Sequence, residues 1–335
     1  MANVYLTYKC NLRCPYCFAN EFVNKDSSNL SFEKFIEIVN FILKEGPSRL
    51  GLIGGEPLIH PQFSKISSFL RNNIKVRGIN LYTNGIYINK WLDDLIDKKF
   101  DILINCNPPS KIGKESYKVL KQNLDLLFRK KKDGISLGMN IYDEEIDYNY
   151  IFELLEIIEG KGLRISLSVP DFSIKTYNHG LEYFREKKNL LWKILLNLKD
   201  NNIIPYYDCN IVPSCIWDEE QLNILKSWKN ENPNSYTNII SGISTCEPII
   251  DILPNLQVVR CFGLSDVTKV RINDFKSLSE INNYYLKKDK ELQKLKVSKL
   301  NHQCQNCKDK SICKMGCLGF YKQLINEESE SRERE

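Results

Sequence analysis

Several things are scarce in this chain, and each scarcity removes a class of function. Histidine occurs only three times in 335 residues. His60, in the run Leu58-Ile59-His60-Pro61, reads as a helix-start residue, and His179 and His302 are isolated and read as structural. No apolar run approaches the roughly 18 residues a membrane-spanning helix needs, so no membrane is expected. Met1-Ala2-Asn3 leads straight into a strand-like run, without the charged and apolar regions of a secretory signal. The formal charge of +5 is spread without a basic block, so no nucleic-acid partner is expected. Nor is the chain poor in core-forming residues: 42% are hydrophobic and 11% aromatic, which argues against disorder. The expectation is a soluble cytoplasmic protein, long enough for one large domain or a domain with a smaller companion.

Cysteine, by contrast, occurs twelve times. In a reducing cytosol, clustered thiols point to metal rather than to disulfides. They divide into Cys10, Cys14 and Cys17; Cys106 alone; and eight in the last third, Cys209, Cys215, Cys246, Cys261, Cys304, Cys307, Cys313 and Cys317. The first group, Cys10-Asn11-Leu12-Arg13-Cys14-Pro15-Tyr16-Cys17, places three soft ligands within eight residues. Three is the informative number. A structural zinc or an ordinary iron–sulfur centre takes four protein ligands, so a trio leaves one coordination position open for chemistry.

Over the first two hundred residues, apolar strand-like runs alternate with helix-periodic stretches. The strands are expected at 4–7, 49–53, 78–82, 101–105, 135–141 and 163–169. The helices are expected near 31–45, 61–72, 88–98, 115–131, 147–159 and 181–200. Ser31 is a plausible cap ahead of the stripe Phe35, Ile38, Val39, Ile42, and Asp133-Gly134 breaks the fourth helix. Six β–α units in a row imply an α/β fold with a parallel sheet, either doubly wound or an incomplete barrel. The polar motifs collect at strand ends: the cysteine loop after strand one, Gly54-Gly55-Glu56-Pro57 after strand two, Thr83-Asn84-Gly85 after strand three and Asn105 on strand four. Asn140 ends strand five, and Arg164 and Ser166 lie on strand six. Barrel chemistry gathers at such ends.

The C-x3-C-x2-C spacing with Tyr16 before the third cysteine, followed some forty residues later by Gly54-Gly55-Glu56-Pro57, resembles the radical S-adenosylmethionine (SAM) enzymes. The resemblance implies a partial (β/α)6 barrel and a [4Fe–4S] cluster on Cys10, Cys14 and Cys17, its open iron chelating SAM. It further implies that reductive cleavage of SAM yields a 5′-deoxyadenosyl radical that abstracts hydrogen from substrate. Glu56 would accept a hydrogen bond from the methionyl ammonium, and Gly54 and Gly55 would let backbone approach a ligand closely. Tyr16 and Thr83 belong to the matching motifs. Asn105, Asn140, Arg164 and Ser166 are candidates for the methionyl carboxylate and ribose, or structural strand-end groups.

Beyond residue 200 the alternation stops. Residues 246–261 read as a β-hairpin turning at Pro254-Asn255, with Cys246 and Cys261 at its outer ends. The group Cys304-x2-Cys307-x5-Cys313-x3-Cys317 resembles the SPASM extension, which implies one or two auxiliary [4Fe–4S] clusters; a zinc ribbon is the bland alternative. The favoured division puts Cys246, Cys261 and Cys317 on one cluster and Cys304, Cys307 and Cys313 on another. Cys209 or Cys215 would fill missing positions, or be buried thiols. Cys106 reads as a packed thiol.

The expected domains are 1–202 (partial barrel), 203–326 (auxiliary-cluster domain) and 327–335 (a charged tail). The resemblance implies an enzyme that modifies a peptide or protein in the manner of peptide maturases, supplied with electrons by a flavodoxin- or ferredoxin-type partner. No peptide-recognition segment is expected ahead of residue 10, so a separate leader-peptide-binding protein is expected. The rivals are a radical SAM oxidoreductase or mutase acting on a small metabolite, and an electron-transfer protein that never cleaves SAM.

Overall fold

A computed structural model describes the chain from Ala2 to Tyr321, apart from residues 18, 21, 26–27, 161, 170–179, 208–211, 234–238, 240–245, 266–268, 299–301, 311–312 and 314–316. The chain packs as two units. The first comprises Met1–Asn140, Glu145–Gly162 and Pro248–Tyr284; the second comprises Ile141–Glu144, Leu163–Glu247 and Tyr285–Glu335. The strands among the described residues are β1 (Ala2–Tyr5), β2 (Ser48–Ile53), β3 (Val76–Thr83), β4 (Phe100–Cys106), β5 (Ile135–Ile141), β6 (Leu163–Leu167), β7 (Pro205–Tyr207), β8 (Ile250–Ile252), β9 (Gln257–Val259) and β10 (Val270–Arg271).

In the first unit the sheet order is β10-β9-β8-β1-β2-β3-β4-β5. From β8 to β5 every pairing is parallel, whereas β8 with β9 and β9 with β10 are antiparallel. A parallel sheet must be covered on both faces, which is why its strands read as unbroken apolar runs. β1 is buried along its whole length, and β2 from Leu50 onward. The helix Phe32–Ile42 turns Phe35, Ile38, Val39 and Ile42 inward, one stripe at helical spacing. Its first turn is capped by Ser31, whose hydroxyl accepts from the Lys34 N–H at 3.3 Å. In the second unit β6 pairs in parallel with β7.

The sequence-based strands lie within a few residues of the observed ones. The first is shifted: Leu6 and Thr7 were expected in it, but the ladder-type pairing of Thr7 is with Asn29. The helix expected over 181–200 divides into Gly180–Glu186 and Lys188–Asp200. The turn at Pro254-Asn255 is present, closed by Leu256 N–H donating to the Leu253 carbonyl at 2.9 Å. The parallel pairing of its first strand with β1 was not anticipated.

That pairing buries a polar row across the sheet. Asp251, Asn3 and Gly51 are register partners on β8, β1 and β2. Asn3 Nδ2 donates to Asp251 Oδ1 at 2.7 Å, and a Cβ at position 51 would collide with the Asn3 side chain. Glycine is therefore required there by its neighbour. Burial holds the Asp251 carboxyl up at about 7, against the Asn3 hydrogen bond and the charge of buried Arg260. A carboxyl raised above its unfolded value adds stability that is complete below about pH 4 and disappears as pH rises through 7. Denaturant midpoints across pH 4 to 8 should therefore fall in the wild type, and Asp251→Asn should flatten part of that fall.

Candidate active site

The cysteine loop leaves β1 and is fastened at each step. The Leu6 N–H donates to the Ile53 carbonyl at 2.8 Å, extending the β1–β2 ladder one residue past the end of β1. The Cys10 N–H donates to Asn24 Oδ1 at 3.0 Å, and the Leu12 N–H to Cys10 Sγ at 3.4 Å. A turn with Cys17 N–H on the Cys14 carbonyl, 3.1 Å, folds the second half of the motif back on itself. All three cysteines are half-buried.

Burial pushes the Cys10 thiol up to about 12 and that of Cys14 up to about 11, and raises Cys17 as well. Cys10 also feels the charges of Glu56, Cys14 and Cys17, and Cys14 that of Cys17. The three sulfurs thus sit close enough to oppose one another's ionisation. A bound cationic centre reverses that logic and takes thiolates. Soft donors, mutually close and partly desolvated, fit an iron–sulfur cluster with three protein ligands. Among the described residues no group of three His, Cys, Asp or Glu side chains is drawn together around a single ion.

The Gly54–Pro57 loop lies directly against this motif. The Gly55 N–H donates to the Thr7 carbonyl and the Glu56 N–H to the Lys9 carbonyl, each at 2.8 Å. A Cβ on Gly55 would overlap the Lys9 carbonyl, and one on Gly54 would lie 2.9 Å from Thr7 O. The close approach these glycines permit is thus to the cysteine loop itself. Glu56 is 1% exposed. Its Oε1 accepts from Thr83 Oγ1 at 2.7 Å and the Leu58 N–H at 3.0 Å, and its Oε2 from the Asn84 N–H at 2.7 Å. Of the roughly four lone-pair positions on a carboxylate, one is left for a further donor. Burial raises this carboxyl to about 7, the three hydrogen bonds opposing it.

Tyr16 reaches in another direction. Its hydroxyl donates to Asn107 Oδ1 at 2.8 Å, and Asn107 Nδ2 approaches Cys14 Sγ at 3.7 Å. Asn140 hydrogen-bonds the same tyrosine, whose hydroxyl is held well above its ordinary value by burial and then by the Cys14 charge. Asn107 was missed from sequence. Its one signal is a polar residue just beyond a buried strand and ahead of Pro108-Pro109. Asn105 is half-buried on β4, while Arg164 and Ser166 are buried on β6 of the second unit. His60 is structural: its Nδ1 accepts the Gln62 N–H at 3.2 Å and its Nε2 faces the Leu30 carbonyl at 2.9 Å. Cys106 is buried, its thiol donating to the Ile104 carbonyl at 3.2 Å.

Of the later cysteines, Cys261 lies in the first unit just past β9. Cys215, Cys246, Cys304, Cys307, Cys313 and Cys317 belong to the second, with Cys304 and Cys317 buried. Cys209, also expected as a ligand, lies outside the described residues. Among the described residues no helix is long and apolar enough to cross a membrane.

The sequence profile of the Radical SAM superfamily matches residues 4–147, the stretch that carries the thiol trio and the strand-end loops bound to it. Over those residues, somewhat under half of the chain, the sequence is similar to that superfamily. Over 163 residues it is 32% identical to the GTP 3',8-cyclase of Synechocystis sp., covering 46% of this chain and 48% of that protein. It is 30% identical over 169 residues to the Molybdenum cofactor biosynthesis protein 1 of Homo sapiens, covering 45% and 26% respectively. The chain thus spans about half, or less, of the curated relatives it matches. Among solved structures it resembles Streptococcus suis SuiB bound to S-adenosylmethionine, with a TM-score of 0.61 at 15% identity over 94% of this chain and 72% of that one. SuiB bound to precursor peptide SuiA matches with a TM-score of 0.58, also at 15% identity, over 94% and 71%. The fold is that of the radical SAM partial barrel, with a cysteine-rich C-terminal region.

The strap between the two loops is open to a direct check. Gly55→Ala must push the Lys9 carbonyl away and break both backbone bonds, so a loss of about 2 kcal/mol is expected in chemical denaturation.

Proposed function

We propose that this chain is a radical SAM enzyme of the SPASM type that acts on a peptide or protein side chain. The observation that carries the reading is the mutual approach of Cys10, Cys14 and Cys17 beneath a loop whose buried Glu56 retains one acceptor position. On this reading the trio holds a [4Fe–4S] cluster and Glu56 receives the methionyl ammonium of SAM. When bound, the pair supplies one-electron cleavage of the sulfonium, giving a 5′-deoxyadenosyl radical that abstracts hydrogen.

The chain's own residues would orient and shield. Thr83 and the Asn84 N–H fix Glu56, and Gly54 and Gly55 let that loop close on the thiols. Tyr16, tied to Asn107 and Asn140, walls one side of Cys14. Asn105, Asn140, Arg164 and Ser166 are proposed for the carboxylate and ribose. Cys246, Cys261 and Cys317 are assigned to one auxiliary cluster, and Cys304, Cys307 and Cys313 to another. A flavodoxin- or ferredoxin-type reductant and a separate leader-peptide-binding protein complete the expected partners, and the division at residues 202 and 326 stands as the proposed domain plan.

The peptide substrate is favoured because the likeness to SuiB, one structure of which holds the precursor peptide SuiA, extends over 94% of this chain. The curated relatives match less than half of it, and their names favour a second reading, a small metabolite such as a nucleotide. One experiment addresses both. Anaerobically reconstituted protein with dithionite and SAM should release 5′-deoxyadenosine, and Cys14→Ala should reduce this to background. With deuterated substrates, label should pass into 5′-deoxyadenosine from a peptide and not from GTP. Transfer from GTP alone would move the assignment to the metabolite class, and no 5′-deoxyadenosine from iron-loaded wild type would remove the enzyme reading.

A further inference from the structure

Cys215 stands apart from every cysteine pattern in the chain, yet it shares the second unit with the C-terminal cysteine group. It sits in a single 3-10 turn, Ser214–Ile216, anchored on both sides. Trp217 packs on Trp192 with ring centroids 5.8 Å apart, and Asp218 pairs with Lys188 at 3.3 Å before capping the helix Glu219–Glu231. The turn packs against the helix Gly180–Glu186. From that same helix Arg185 hydrogen-bonds Gln303, the residue before Cys304. One helix thus positions both Cys215 and the start of the C-terminal cysteine group.

That group is wound by its own backbone. The Cys307 N–H donates to the Cys304 carbonyl at 3.2 Å, the Lys310 N–H to the Cys307 carbonyl at 3.3 Å, and the Cys313 N–H to the Asp309 carbonyl at 2.8 Å. Gln293 Nε2 holds the Cys313 carbonyl at 3.3 Å. Cys215 lies within electrostatic reach of Cys313, Cys304 and Cys307 and keeps an exposed edge. Through the helix Gly180–Glu186, Cys215 is thus a neighbour of the C-terminal cysteine group, where the spacing pattern alone supplies three thiols.

We infer that Cys215 is the fourth thiolate of an iron–sulfur site whose other ligands are Cys304, Cys307 and Cys313. Four thiolates are the full complement of a [4Fe–4S] cluster. All its irons then carry protein ligands, which suits electron transfer and leaves no position for substrate. The inference extends the proposed auxiliary trio and does not depend on SAM cleavage at the first site.

The test separates the two by using full-length chain carrying Cys10→Ala, Cys14→Ala and Cys17→Ala, reconstituted with iron and sulfide under anaerobic conditions. In this background Cys215→Ala and Cys313→Ala should each lower iron and sulfide by about four per chain or shift the EPR signal of the reduced cluster in the same direction. Cys106→Ala, which alters a packed thiol elsewhere, should leave both unchanged. N-ethylmaleimide with peptide mass mapping supplies a readout free of any folding defect: Cys215 should be labelled in chelator-stripped chain and protected in loaded chain. Unchanged iron, sulfide and EPR signal in Cys215→Ala beside a changed Cys313→Ala would overturn the inference. So would equal labelling in both states, or zinc in place of iron at these thiols.

Discussion

The arrangement depends on a buried carboxylate that joins three loops. Beyond the ends of parallel strands, backbone donors and acceptors have no ladder to enter, and burying them unpaired would cost about 1–3 kcal/mol each. Here the ladder is continued by loops: Leu6 on Ile53, Gly55 on Thr7, Glu56 on Lys9. Glu56 then accepts from the third loop through Thr83 and Asn84, whose side-chain Nδ2 in turn donates to Asn11 inside the cysteine motif at 2.8 Å. Removing this carboxylate would leave the Asn84 and Leu58 N–H groups and the Thr83 hydroxyl without their acceptor. Desolvation costs are met locally, and the cysteine loop inherits rigidity from strands two and three. Tyr16 extends the same coupling to Asn107, past β4, and to Asn140 on β5.

Beneath the thiols lies an apolar floor. Tyr5, Tyr8, Ile53, Leu253, Val259 and Phe262 form one buried cluster, with Cys17, Phe22 and Tyr82 packed against it. Phe262 lies tilted against Tyr5 at 5.3 Å and meets Phe22 edge-on at 5.6 Å. Leu253, Val259 and Phe262 come from the hairpin region, some 240 residues after the cysteine loop. Its parallel pairing with β1 gives this distant segment a share in the floor of the site. Such packing excludes water from the Cys17 side of the trio, which suits chemistry that must not be quenched by solvent.

What could be read from sequence was what is encoded locally. Thiol spacing, the Gly-Gly-Glu-Pro run and the β–α alternation are short-range patterns, and the strands, the Ser31 cap and the hairpin turn lie near where those patterns put them. Long-range pairings left no comparable trace. Gly51 reads as an ordinary strand glycine, and only the register with Asn3 explains it. Asn107 is a single polar residue, and its place beside Cys14 is decided by the distance that β4 runs before Pro108. The glycines of the second loop were expected to admit a ligand, yet their immediate occupant is the Thr7–Cys10 backbone. A sequence motif names the residues that must come close without saying what they come close to.

The unequal reach of the two likenesses has a physical reading. Curated relatives such as the Synechocystis cyclase match less than half of this chain, and the superfamily profile covers the stretch with the thiol trio and its fastening loops, while the fold likeness to SuiB runs on over 94% of this chain. Radical generation makes the same demands whatever the substrate: three soft ligands, a carboxylate with one free acceptor position, and a dry floor. Those demands restrict residue identity, so sequence similarity persists there. Substrate choice and electron disposal demand only that loops and thiols be held at suitable places, which many sequences can do. On the proposed assignment, the cysteines of the second unit are its part held to fixed chemistry, while its intervening residues are held only to shape. A segment under that looser constraint retains its fold after its sequence has diverged, as the 15% identity over the whole-chain match illustrates.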